Sequence, residues 1–124
     1  MGSRKIAILC VDAEEIPRTL RILVLRKQGY EVTGAASGAE AMELLGSQNF
    51  DLVLTDQMMP EMTGTELTRR LKSVMPEMPV VIISGMNELP AGAELADAFV
   101  SKVAGPAALF ESLTTVLERY QRSF

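Results

Sequence analysis

DLVLTDQMMP, residues 51–60, is an apolar run that carries one carboxylate, Asp56, to its end and then breaks on Pro60. An unpaired carboxylate is costly to bury, so an acid at the end of a buried strand calls for a compensating partner. That partner has to come from elsewhere in the chain, and the residues that follow the other apolar runs are the candidates.

KIAILCV, residues 5–11, is a second continuous apolar run with β-branched members, as in a strand covered on both faces; Asp12 ends it. A helix follows from Glu14 and Glu15, with Leu20, Ile22, Leu23 and Leu25 at mostly helical spacing, Arg26 and Lys27 late, and Gly29 as its stop. YEVTGAAS, 30–37, reads as a strand, and Ser37 as the N-cap of a helix over GAEAMELLGSQ. After 51–55, Pro60 and Gly64 lead into a third helix at 65–74, and PVVIISG supplies a fourth strand ending at Ser84. Pro90 and Gly92 restrict the next helix to a short piece near 90–96. DAFVSK, 97–102, is the fifth strand, and from Pro106 a last helix carries the stripe Leu109, Phe110, Leu113, Val116, Leu117 and Tyr120.

Strand and helix thus alternate through one α/β domain, 1–124, with crossovers too long for hairpins. The pattern predicts a doubly wound, five-stranded parallel sheet with helices on both faces. Met1-Gly2-Ser3 and Arg4 are set aside as a cloning remnant or a disordered end.

Composition narrows the chemistry. The 124 residues are 48% hydrophobic and 23% charged, the balance of a folded domain, with a net charge of -4 that disfavours direct nucleic acid contact. There is no histidine, which removes Ser-His and Cys-His catalytic pairs and His-rich metal sites. The single cysteine, Cys10, lies within IAILCV and reads as a buried reduced thiol. No apolar stretch approaches the roughly 20 residues that span a bilayer, so no membrane contact and a cytoplasmic location are expected. The eight methionines read as packing and loop residues.

In open parallel sheets, ligands gather at the carboxyl ends of the strands beside the switch in strand order. Those ends offer Asp12 and Glu14, then Asp56, then Ser84, then Lys102. Converging acids suit Mg²⁺, and a lysine with a serine hydroxyl suits an anion; together they meet the needs of phosphoryl transfer. Each residue also has a plainer reading. Asp12 and Asp56 can cap the loops that follow, Glu14 can be a solvated first-turn acid, Ser84 a turn residue, Lys102 a surface lysine and Phe99 a core residue.

The order VDAEE, DLVLTDQMMPEMTGTEL, VVIISG, AFVSK resembles the receiver domain of two-component response regulators over essentially the whole chain. The resemblance implies a flavodoxin-like strand order 2-1-3-4-5. It implies Asp56 as phosphoacceptor from a phosphohistidine of a sensor histidine kinase or histidine phosphotransfer protein. Mg²⁺ is implied on Asp12, Asp56 and the Met58 backbone carbonyl, Lys102 on the phosphoryl oxygen and Asp56, and Ser84 with Phe99 as the switch. A downstream output domain or protein is implied as well, and by analogy alone a homodimer through the flank of the fourth strand and the last helix. The molecule is then a phosphoacceptor with self-catalysed phosphoryl transfer rather than a conventional enzyme.

Three departures from the family pattern stand out. The second of the family's paired acids is Ala13 here, which leaves Glu14 or water to complete the metal shell. Val103 replaces the family's cis proline after Lys102, and because a cis bond before Val costs about 3 kcal/mol, a trans peptide is expected. The fourth helix is shortened by Pro90 and Gly92. Two positions that tune hydrolysis in the family are both methionine, Met58 and Met86, which predicts slow autodephosphorylation. The alternative is a pseudo-receiver, an unphosphorylated interaction module. A Mg²⁺-dependent phosphatase lacks its DxDx[TV] signature, and a flavin site lacks its hydroxyl- and glycine-rich loop.

Overall fold

The computed structural model describes residues 4–85 and 89–121. Five strands form one parallel sheet: β1 Ala7–Val11, β2 Glu31–Ala35, β3 Leu52–Asp56, β4 Val80–Ser84 and β5 Ala98–Ser101, in the order β2-β1-β3-β4-β5. Among the described residues four α-helices connect and flank them: α1 Glu15–Lys27, α2 Gly38–Ser47, α3 Gly64–Val74 and α4 Gly105–Gln121. The predicted class and strand order are the observed ones.

Every residue of β3 and β4 is buried, which is why both read as unbroken apolar runs instead of alternating ones. One face packs Ile8, Cys10, Leu52, Leu54, Val81 and Ile83 against Leu25 of α1 and Leu109, Leu113 and Val116 of α4. The other packs Leu9, Val11, Val53, Val80 and Ile82 against Ala41 and Leu45 of α2 and Leu67 and Leu71 of α3. Cys10 is fully buried, and burial pushes its thiol up to about 11, so it is an inert packing residue.

Local signals set the helix starts. Ser37 Oγ accepts the Glu40 N–H at 3.0 Å while Glu40 accepts the Ala36 N–H at 2.6 Å, a capping arrangement across the first turn of α2. Thr63 caps α3 in the same way, accepting the Glu66 N–H at 3.2 Å, which moves the start of α3 to Gly64 from the predicted 65. Gly29, at φ +98°, ends α1 as predicted.

Three details go beyond the sequence reading. Between β4 and β5 the only helical piece among the described residues is a 3₁₀ turn, Ala93–Leu95, because Pro90 lacks an N–H and Gly92 sits at φ +89°. Arg4 belongs to the ordered fold: its guanidinium grips both carboxylate oxygens of Asp51, which also accepts the Ala7 N–H at 2.8 Å. And α1 is rotated relative to its apolar pattern. Only Leu25 of α1 is buried, whereas Ile16, Leu20 and Leu23 are 73%, 58% and 55% exposed.

At the amino ends of the strands, away from Asp56, one acid ties three elements together. Asp97 accepts from Lys72 Nζ of α3 at 2.9 Å, from the Val80 N–H at 2.8 Å and from the Tyr120 hydroxyl of α4 at 2.7 Å. Burial works to lower the Lys72 pKa, but the Asp97 and Tyr120 hydrogen bonds outweigh it and hold the ammonium above its ordinary value. Removing Asp97 strands the Val80 N–H and leaves a half-buried ammonium without its counter-charge, held only by the Met78 carbonyl and the Tyr120 hydroxyl, so Asp97→Ala should cost about 3 kcal/mol in urea unfolding, whereas Tyr120→Phe should cost about 1 kcal/mol.

Candidate functional site

The strand register brings the site residues together. Val11 of β1 lies opposite Thr55 of β3, so Asp12 and Asp56 leave adjacent strands side by side. Asp56 lies opposite Ile83 on the other flank, one residue short of Ser84, and Ser84 lies opposite Ser101, one short of Lys102. Both acids are almost wholly buried, at 1% and 3% exposure, and Ser84 is fully buried.

Asp56 is held from two directions. Lys102 Nζ stands 3.1 Å from its Oδ1, and the Gln57 N–H donates to the same oxygen at 3.0 Å. Burial still raises the Asp56 pKa: desolvation is the largest influence, Lys102 opposes it, Asp12 adds to it and Arg21 opposes it. Lys102 opens a 3₁₀ turn, Lys102–Ala104, in which Ser101 Oγ accepts the Val103 N–H at 3.3 Å. There is no cis peptide among the described residues, so the Lys102–Val103 bond is trans as expected.

Asp12 has a partner that its sequence neighbours did not suggest. Arg21 Nη1 donates to Asp12 Oδ2 at 2.9 Å, and the Arg21 side chain is only 12% exposed. Arg18 Nη1 donates to the Asp12 backbone carbonyl at 2.8 Å, and the Glu14 N–H donates to Oδ1 at 2.9 Å. The Glu14 side chain itself is exposed, and among the described residues no three His, Cys, Asp or Glu side chains gather in a metal-binding group. Arg21 lies four residues before Leu25, so the spacing that turns Leu25 inward turns Arg21 inward too.

Gln57, also missed in the sequence, fixes the loop that follows Asp56. Its side chain is buried, accepts the Thr65 N–H at 2.9 Å and reaches Thr65 Oγ1 at 3.3 Å, while its backbone N–H also donates to the Ile83 carbonyl at 3.0 Å. The start of α3 can approach this closely only because residue 64 is glycine: a Cβ there would stand 2.5 Å from the Asp56 carbonyl oxygen. Met58 is exposed, Phe99 is half-buried and packs on the α2 and α3 side of the sheet, and Met86 lies outside the described residues.

The donor chemistry of Asp12, Asp56 and a backbone carbonyl is of the kind Mg²⁺ accepts, because this ion binds hard oxygen ligands and keeps waters for the rest of its shell. The carboxylate of Asp12 is at the same time committed to a guanidinium.

The doubly wound sheet thus brings two carboxylates and a lysine together at the carboxyl ends of its strands, where ligands gather in this architecture. The Response regulator receiver domain family matches residues 8–114, and the chain belongs to that family. It is 43% identical over 83 residues to the two-component response regulator ORR5 of Oryza sativa subsp. japonica, covering 64% of this chain and 62% of that one. It is 32% identical to the transcriptional regulatory protein GlrR of Escherichia coli, covering 96% of this chain and 28% of that one. The chain thus spans less than two thirds of the length of these curated relatives. Among solved structures it is similar to the response regulator TrrA of Thermotoga maritima in complex with Mg²⁺-BeF, with a TM-score of 0.85, 27% identity, and 90% of this chain and 98% of that one covered. No described helix is long and apolar enough to cross a membrane.

Two outcomes follow for the site. Gly64→Ala should cost about 2 kcal/mol, because the new Cβ runs into the Asp56 carbonyl and crowds Gln57, whose Cα and Oε1 would both stand 3.1 Å away. Since the Asp56 pKa is raised on folding, the native state binds the proton more tightly, and stability is lost as pH rises from the ordinary carboxylate range through the folded value. Asp56→Asn should therefore raise Tm at pH 7, with the gain shrinking as pH falls through the ordinary carboxylate range, below which both states of the wild type are protonated.

Proposed function

We propose that the chain is a phosphorylatable receiver: Asp56 accepts a phosphoryl group from a phosphohistidine on a sensor histidine kinase or histidine phosphotransfer protein, in the cytoplasm. The observation that carries this reading is Lys102 Nζ on Asp56 Oδ1 at 3.1 Å, a cation delivered to a buried carboxylate from the end of a strand two places away in the sheet. Lys102 and the Gln57 N–H both address Oδ1, which leaves Oδ2 as the attacking atom. An Oδ2–P bond forms, the N–P bond of the donor breaks, and its electron pair stays with the donor imidazole.

Asp12, Asp56 and the Met58 carbonyl would hold Mg²⁺, which when bound supplies charge neutralisation to the transferring phosphoryl oxygens. Lys102, 39% exposed, has the freedom to follow a phosphoryl oxygen as the charge moves off Asp56. Ser84, at the end of β4 next to Asp56, is the hydroxyl donor for the third oxygen, and Phe99 on β5 is the residue that responds to its movement. The partner is received beside the site. Leu20 and Val24 of α1 and Pro106 and Leu109 of α4 line a cleft of about 290 Å³ that Lys102 and Arg21 also border. With Ile16 and Leu23 exposed as well, this side offers an apolar surface to a partner helix.

Incubation with acetyl phosphate and Mg²⁺ should add one phosphoryl group by intact-mass spectrometry to the wild type and none to Asp56→Asn. The adduct should persist well beyond seconds, since the exposed Met58 side chain offers no group to orient water. A wild type that gains no mass under these conditions, with fold intact, would instead mark an unphosphorylated pseudo-receiver.

A further inference from the structure

We infer that Arg21 is a resident counter-ion at the metal position, which Mg²⁺ must displace from Asp12 before it can bind. This rests on the reading of Asp12 and Asp56 as the metal carboxylates. The argument begins with charge. Two carboxylates, Asp12 and Asp56, are each paired with one cation, Arg21 at 2.9 Å and Lys102 at 3.1 Å, so the two ion pairs are formally neutral before a metal arrives, and Arg18 adds a further positive charge at the Asp12 backbone carbonyl. With Ala13 in place of a further acid, nothing in the cluster restores the negative charge that draws a divalent ion in.

Geometry places the competition on one atom. Arg21 donates to Asp12 Oδ2, and the other oxygen, Oδ1, already accepts the Glu14 N–H at 2.9 Å, so Asp12 has no oxygen uncommitted to a donor. Each of these oxygens keeps a second lone pair, so the competition is one of charge: a cation that ligates Asp12 has to tolerate a guanidinium within a few ångströms, which is repulsive unless the guanidinium moves.

The fold leaves a path for that movement. Arg21 also borders the cleft of about 290 Å³ between α1 and α4, lined by Leu20, Val24, Pro106 and Leu109. Its alkyl stem can stay against those apolar side chains while the guanidinium swings out to solvent. Arg18 would remain behind, since it holds the Asp12 backbone carbonyl at 2.8 Å and so keeps the loop in place when the carboxylate changes partner. The consequence is a receiver whose metal affinity is set low by its own side chain, and in which metal binding and the release of Arg21 are one event.

The test is Mg²⁺ titration of the full chain by calorimetry, for wild type, Arg21→Gln, Arg21→Lys, Asp12→Asn and the double variant Arg21→Gln/Asp12→Asn. Arg21→Gln should bind Mg²⁺ at least tenfold more tightly than wild type, Arg21→Lys should remain close to wild type, and both Asp12→Asn proteins should lose binding. If Asp12→Asn loses binding but Arg21→Gln binds no more tightly than wild type, the counter-ion role is overturned while the metal site stands. If Asp12→Asn binds Mg²⁺ as wild type does, or no protein binds, the metal reading itself fails and the inference with it. Should Arg21→Gln not fold, ¹⁵N-labelled wild type still decides the matter. The Arg21 Nε–Hε resonance should shift with the same midpoint as the amides of residues 12 and 56 on adding Mg²⁺, and an Arg21 resonance that stays fixed while those amides saturate would overturn the inference.

Discussion

Asp12 and Asp56 leave neighbouring parallel strands at the same level and are almost completely withdrawn from solvent, so each must be met by positive charge within the protein. The chain draws those charges from two distant places. Lys102 comes from the end of β5, which requires β4 and β5 to pair in register up to Ser84 and Ser101. Arg21 comes from the second turn of α1, which requires α1 to turn one particular side to the sheet. Arg18 strengthens that choice by binding the Asp12 carbonyl, and Leu25 follows it into the core. With that side inward, Leu20 and Leu23 have to face solvent, although burying either would be worth roughly 2 kcal/mol. The rotation of α1 is thus set by electrostatics at the site, and the apolar surface beside the site is its by-product.

A second set of bonds makes the strand ends stiff enough for this arrangement to hold. Gln57 spans from β3 to the start of α3, and Gly64 allows the backbones to approach. At the opposite end of the sheet Asp97 joins α3, β4 and α4. The two ends differ in character. Asp97 has all its partners within the fold, whereas Asp56 carries a pKa raised by burial that Lys102 only partly offsets. A burial cost that is only partly offset is characteristic of functional positions, whereas one that is fully met is characteristic of structural ones.

The sheet was legible because parallel strands covered on both faces read as continuous apolar runs, and because Ser37, Gly29 and the prolines mark their borders. The site acids and Lys102 were legible for a related reason: strand ends in this architecture converge, so position along the sequence is enough to gather them. Side-chain partnerships across elements were not. Arg21 stands in a run where Leu20, Ile22, Leu23 and Val24 suggest a conventional apolar stripe, and only the knowledge that Leu25 is the buried residue reveals which side faces the sheet. Gln57 has no local pattern, because its partner is eight residues away beyond a loop whose shape is set by Glu61 at φ +67° and by Gly64. Arg4 and Asp51 are separated by most of the first half of the chain, so their bond has no sequence signature either.

The two departures from the family pattern near the site bear on one another. Without a proline after Lys102, the loop is shaped instead by the Ser101 side chain capping a 3₁₀ turn and by Gly105 at φ +86°, and Lys102 still reaches Asp56. Lys102 therefore stays a half-exposed cation at the mouth of the site, free to adjust. Arg21, by contrast, is enclosed and bonded to a buried acid. Where an alanine has removed one negative charge, a guanidinium supplies one positive charge, and both changes shift the cluster in the same direction, away from the excess of acid that holds a divalent ion. The alanine at position 13 and the inward arginine thus act on the charge of the site in the same direction.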